Sequence, residues 1–143
     1  MISSRNQSRM LKIVLLVLIF VTALYTKEYR GEHQDIIASH IGGVFYVLFG
    51  ALLFSVLFPA LKPWQATLLA LGCTSLLEFI QYFRFPFLLE LTKSKVFLYL
   101  LGNNFNPVDF LYYFFGAGVG FVVLFLLKPA GEVERWNSET VEK

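Results

Sequence analysis

The stretch IIASHIGGVFYVLFGALLFSVLFPALKPWQATLLALGCTSLLEFIQYF, residues 36–83, decides the fold. Its first half, residues 36–58, is apolar apart from small or weakly polar interruptions such as Ser39, Gly42, Gly43, Gly50 and Ser55, with His40 near its start. A run of ~20 such residues is what a helix needs to cross a hydrocarbon core of ~30 Å. Pro59 and Pro63 then bracket a turn that contains Lys62 and is too short to cross a membrane. Residues 64–83 must therefore return as an antiparallel neighbour, with Trp64 at the interface where aromatic belts form. The expectation is a transmembrane hairpin.

Upstream, a third apolar run covers residues 10–26, preceded by Arg5 and Arg9 and short enough that Lys12 has to extend its ammonium toward water. A basic start before a short apolar stretch also describes a signal peptide, with Val21 and Ala23 placed like a cleavage site. The membrane character of the remaining chain favours a retained helix. Downstream, residues 86–102 are mixed: neither apolar half is long enough to span, and Thr92-Lys93-Ser94-Lys95 divides them. They read as two short helices in the outer interface, with a re-entrant or fifth spanning segment as the alternative. A last run covers residues 107–128, where Asn106 can cap and Pro107 suits the first helical position. Residues 129–143 read as a short solvated tail.

The composition agrees. Of 143 residues, 57% are hydrophobic and 15% charged, against about a quarter charged in an ordinary soluble domain. The expected fold class is all-α: one polytopic membrane bundle of four transmembrane helices, with short interfacial helices before the last. A net charge of +2, scattered in ones and twos, excludes a nucleic-acid surface. Cys73 is the single cysteine, so no internal disulfide can form. Arg5, Arg9, Lys12, Lys62, Lys128, Arg135 and Lys143 fall on one side of this topology and Lys27, Arg30, Arg84, Lys93 and Lys95 on the other. That bias puts both termini and the Lys62 turn in the cytoplasm of a bacterial inner membrane.

Chemistry is sought where ionisable groups enter the spans, because each costs roughly 2.5–3.5 kcal/mol on insertion scales. Glu78 is the clearest case, with Gln81 and Arg84 three and six residues later on one helix face. Asp109 opens the last helix, where the helix dipole favours an anion, and Tyr112, Tyr113, Gly116 and Gly120 follow. Asp35 similarly opens the second helix, beside Ser39 and His40. One reading makes the acids helix caps and bundle-orienting groups, with Glu78 paired to Arg84 or a neighbouring hydroxyl. The other makes Asp35, Glu78, Gln81, Arg84, Asp109 and Tyr113 an outward-facing polar pocket for a lipid, a head group or a cation. His33, His40, Asp35 and Glu78 lack metal-ligand spacing, so no metal is expected. Ser39, Ser75 and Cys73 lack a base and an orienting group, which leaves no nucleophile to name. Gly116 and Gly120 form a small-xxx-small pair suited to close helix contact, within the bundle or between copies in a homo-oligomer. The aromatic residues, including 16 Phe, read as lipid-facing packing rather than a cofactor box, and no cofactor is expected.

Glu78, Gln81, Gly102, Phe105, Asp109, Tyr113 and Gly116 fit the pattern Glu-x2-Gln, then Gly-x2-Phe-x3-Asp-x3-Tyr-x2-Gly. In this the chain resembles a bacterial family of small membrane proteins classed as domain of unknown function 2809. Asp35 resembles the acid that opens that family's second helix, although Gln34 stands where glycine is usual and Asn106 replaces a frequent acid. A looser likeness is to the VanZ-like family. The resemblance spans Asp35 to about Leu127 and implies a four-helix inner-membrane protein with a shared role for Glu78, Gln81 and Asp109, and structural roles for Gly102 and Phe105. The VanZ-like likeness adds a cell-envelope setting.

Three functions follow as expectations: a non-enzymatic envelope protein with membrane lipids as partners, a membrane enzyme acting on a lipid-linked substrate, or a proton- or cation-coupled transport component.

Overall fold

The computed structural model describes residues 3–34, 36–83, 85–101, 105–129, 131, 135, 138 and 141. All its regular elements are helical: α1 (Ser4–Glu28), α2 (Gly42–Leu57) entered through a π-helical turn (Ile36–Ile41), α3 (Pro63–Tyr82), α4 (Pro86–Leu91), α5 (Lys95–Leu101) and α6 (Asp109–Leu126). Between α1 and the π-helical turn, His33 takes a left-handed φ of 61°. At the α2–α3 turn the Leu61 N–H donates to the Phe58 carbonyl at 3.0 Å. Lys62 N–H donates to Gln65 Oε1 at 2.9 Å, capping α3 just ahead of Pro63.

Among the described residues, three helices are long and apolar enough to cross a membrane: Ser4–Glu28, Ile36–Leu57 and Asp109–Leu126. The chain is therefore a membrane-type helical bundle with three clear candidate spans rather than the four expected. The difference lies in α3. It has 20 residues, enough for ~30 Å, but Gln65, Thr67, Thr74, Ser75, Glu78 and Gln81 dilute its apolar character. Two boundaries also move. The first helix begins at Ser4 rather than near residue 10, so the basic residues Arg5, Arg9 and Lys12 are helical. The last begins at Asp109, because Asn106 Oδ1 accepts from the Val108 N–H at 3.2 Å and forms a turn ahead of the helix instead of capping it. In the tail, the described residues Gly131, Arg135, Ser138 and Val141 are helical and exposed.

α2 is the central element, contacting α1, α3 and α6. Its buried residues Val47, Leu48, Ala51 and Leu52 meet Ala66 and Ala70 of α3 and Ala117 and Leu124 of α6. Small residues bring the backbones close: a Cβ on Gly116 would lie 2.7 Å from the Val44 carbonyl oxygen, and one on Gly50 would lie 3.1 Å from Ala70 Cβ. Contacts of Tyr113 with Gly43, Gly116 with Val44 and Gly120 with Ala51 advance together along the two chains, so α2 and α6 run parallel. Meanwhile the outer surface is apolar, with Tyr25, Leu111, Phe115 and Leu126 each about two-thirds exposed or more. Small residues inside and large apolar ones outside are what lipid solvent permits and water does not.

Candidate functional site

The polar residues gather at one end of the bundle, where α1 ends, the π-helical turn begins α2, α3 ends and α6 begins. Glu78, only 3% exposed, is held there by two donors. Tyr113 Oη donates to Glu78 Oε2 at 2.9 Å, and the Asn106 backbone N–H donates to Oε1 at 3.0 Å. Tyr113 reaches the carboxylate because Gly43 leaves room for its ring: a Cβ on Gly43 would stand 3.0 Å from Tyr113 Cε1. One helix pair thus supplies the acid and the hydroxyl, while the connection before α6 supplies the amide.

Asn106 is also the link to the second acid. Its Nδ2 donates to Asp109 Oδ1 at 3.3 Å, and His40 Nδ1 lies 3.3 Å from the same oxygen. The imidazole can donate there in its Nδ1–H tautomer. His40 is further fixed by stacking on Tyr112, with centroids 4.5 Å apart and planes 8° from parallel. A π-helical turn carries an extra residue per turn and re-aims its side chains, which is how His40 comes to face α6. Asp109 and His40 retain 13% and 21% side-chain exposure, so this half of the network touches the surface while Glu78 does not.

A cation stands nearby. Lys27, in the last turn of α1, packs beside Gly42, where a Cβ would be in ordinary contact with Lys27 Cε at 3.5 Å and Nζ at 3.8 Å. The stem of Lys27 also lines an almost wholly apolar cavity of about 290 Å3 with Phe20, Leu24, Tyr46, Phe49 and Val96. One residue therefore borders both the polar network and an apolar cavity between α1 and α2.

Of the residues expected from sequence, Glu78, Asp109 and Tyr113 stand in one hydrogen-bonded network, joined through Asn106. Gln81 follows Glu78 by one turn of α3 and is half-buried. Phe105 packs edge-on against Tyr82 and Phe110, at 5.1 and 6.2 Å, and so seats the chain before α6 on the end of α3. Asp35, Arg84 and Gly102 lie outside the described residues, as does any pairing of Glu78 with Arg84. His40 and Asn106 join this network as well; the sequence places His40 beside Asp35 among the converging polar groups, but it offers Asn106 only as a helix cap and Lys27 only as a flanking charge. Among the described residues, no group of three or more His, Cys, Asp or Glu side chains could hold a metal ion.

The family described as protein of unknown function (DUF2809) matches residues 32–117, which include Glu78, Asn106, Asp109 and Tyr113. No curated protein and no solved structure matches the chain.

Proposed function

Since the chain belongs to this family of proteins of unknown function (DUF2809), a membership that assigns no activity, its role has to be argued from the site; we propose that it is a non-enzymatic protein of the bacterial cell envelope that receives a membrane lipid by its head group. The observation that carries this reading is the double position of Lys27, beside Gly42 and so next to the Gly43 on which Tyr113 of the polar network lies, and on the wall of the 290 Å3 apolar cavity. An amphipathic ligand needs that juxtaposition: an apolar slot for a chain and, at its mouth, fixed charges for a head group. Lys27 and His40 would face the anionic part of the head group and Asp109 a cationic part. Both oxygens of Glu78 already accept from fixed donors, which suits an acid that positions Tyr113 and Asn106 better than one that abstracts a proton.

In this reading α3 is the fourth span, in an inner membrane with both termini in the cytoplasm and the polar network facing outward. Two observations support it. Parallel α2 and α6 can cross in the same direction only if the chain crosses back between them, and α3 is the element long enough to do so. Moreover, Thr67, Thr74 and Glu78 of α3 are buried against the bundle while Leu68, Leu69, Leu76 and Phe79 point out. The two threonines donate to the Pro63 and Ala70 carbonyls, both at 2.8 Å, so their hydroxyls face no lipid. The looser VanZ-like likeness points to the same envelope setting.

The test is lipid analysis of the full chain purified in mild detergent. Wild type and Arg30→Gln should retain the same lipid, and Lys27→Met, which keeps an unbranched apolar stem and removes the charge, should lose it. Undiminished retention by a folded Lys27→Met protein would overturn the reading.

A further inference from the structure

The opposite end of the bundle holds a second cavity, of about 190 Å3, built where α1 starts, α2 turns into α3 and α6 ends. At ~30 Å3 per water it has room for about six waters, enough for a phosphate group. Arg5, Arg9, Lys12 and Lys128 line it, with Ser8, Ser55 and prolines of the α2–α3 turn. Spacings of four and three residues put Arg5, Arg9 and Lys12 on one face of α1. That face is clamped against the end of α6, because Ser8 Oγ donates to the Leu127 carbonyl. Lys128 comes from across the cavity, with its Nζ 5.5 Å from the Phe125 ring centroid. Four cations from two helices thus converge on one space, and its described lining includes no carboxylate.

The neutral polar residues do not change that balance. Ser8 donates to Leu127, and Ser55 Oγ donates to the Leu52 carbonyl at 3.2 Å, so the charged donors of the lining, beside the neutral Asn6 amide, are its guanidinium and ammonium groups. We propose that this cavity is a binding site for a phosphate-bearing anion. Guanidinium presents a planar fork that matches phosphate oxygens, and two such residues one turn apart, Arg5 and Arg9, line the cavity. The cavity sits where the apolar run of α1 begins, the depth at which basic pockets between membrane helices take up anionic head groups. A lipid phosphate and a free phosphate share this chemistry. Lys27 lies about 22–33 Å away along α1 from Lys12 and Arg5, so this site is separate from the one proposed above.

Two arms test it on the full chain. In nanodiscs mixing phosphatidylglycerol with phosphatidylcholine, native mass spectrometry should find phosphatidylglycerol retained preferentially if the source is lipid. In detergent, melting temperature should rise in sodium phosphate over sodium chloride of equal ionic strength if the source is free phosphate. The Arg5→Gln, Arg9→Gln double variant should weaken the responding arm at least about tenfold. Arg30→Gln with Lys95→Gln removes the same charge at the far end and should change nothing. Should the double variant fail to fold, Arg9→Glu alone should abolish the response. No response in either arm, a response that both Arg5/Arg9 variants keep, or one that the far-end control loses equally would overturn the proposal.

Discussion

A buried carboxylate is tolerated only if its oxygens are occupied, and at Glu78 the occupants are the Tyr113 hydroxyl and the Asn106 backbone N–H. This makes Tyr113 and Glu78 one energetic unit. Tyr113→Phe removes the donor without changing shape and should destabilise the protein by about 1–3 kcal/mol, the cost of leaving a buried charged acceptor short of a partner. Glu78→Gln keeps the shape but removes the charge. If the hydrogen bond carries the loss, the double variant should fall short of the sum of the singles by more than ~0.5 kcal/mol in denaturation midpoints measured in detergent. Strict additivity would show that the two residues stabilise the bundle independently. The Asn106 contribution is invisible to side-chain replacement, because the donor to Glu78 is its backbone.

Between elements, α6 lies close against α2. A Cβ on Gly116 would stand 2.7 Å from the Val44 carbonyl oxygen, which is backbone and has no rotamer to yield. Gly116→Ala should therefore push the helices apart at a cost of about 1–3 kcal/mol. Two residues on, a Cβ on Gly118 would meet nothing within 4 Å. Gly118→Ala should be neutral or stabilise by up to about 1 kcal/mol, since alanine has the higher helix propensity. Thermal melts of the two variants check the contrast, and equal losses at both positions would place the effect in the helix itself rather than at its contact with α2. The same close approach lets Tyr113 lie over Gly43 and reach Glu78, so the helix contact and the polar network depend on one another.

For the whole molecule, the parallel course of α2 and α6 is the constraint that orders the topology. With α3 as the return crossing, the Lys27 end and the α4–α5 segment lie on one side and the basic cavity on the other. In a Cys73→Ser background, Glu32→Cys and Ser94→Cys should react with an impermeant maleimide added to intact cells, and Ser138→Cys should react only after lysis. All three positions are exposed in the fold, so a failure to label reflects the membrane rather than burial. Labelling of Ser138→Cys in intact cells with protection of Ser94→Cys would invert the orientation and put the basic cavity outside.

The residues themselves determined the class of the molecule and the places where it could carry chemistry. Apolar runs of membrane length, two prolines around Lys62, and the spaced Glu78, Asp109 and Tyr113 are local properties, and helix periodicity converts them into faces and ends. What periodicity leaves open is how helices rotate and approach one another. Glu78 and Tyr113 are 35 residues apart and His40 and Asp109 are 69 apart, so their contacts depend on the close passage of α2 beside α6. Lys27 could be read from sequence only as a flanking charge; Gly42 gives it a seat against the bundle. Arg5, Arg9 and Lys128 likewise counted as charges that orient the chain, and the folding of α1 against the end of α6 turned them into walls of one cavity. Tertiary structure decided these pairings because the approach of two backbones, which at α2 and α6 needs Gly43 and Gly116, and not the spacing along either one, sets which side chains meet.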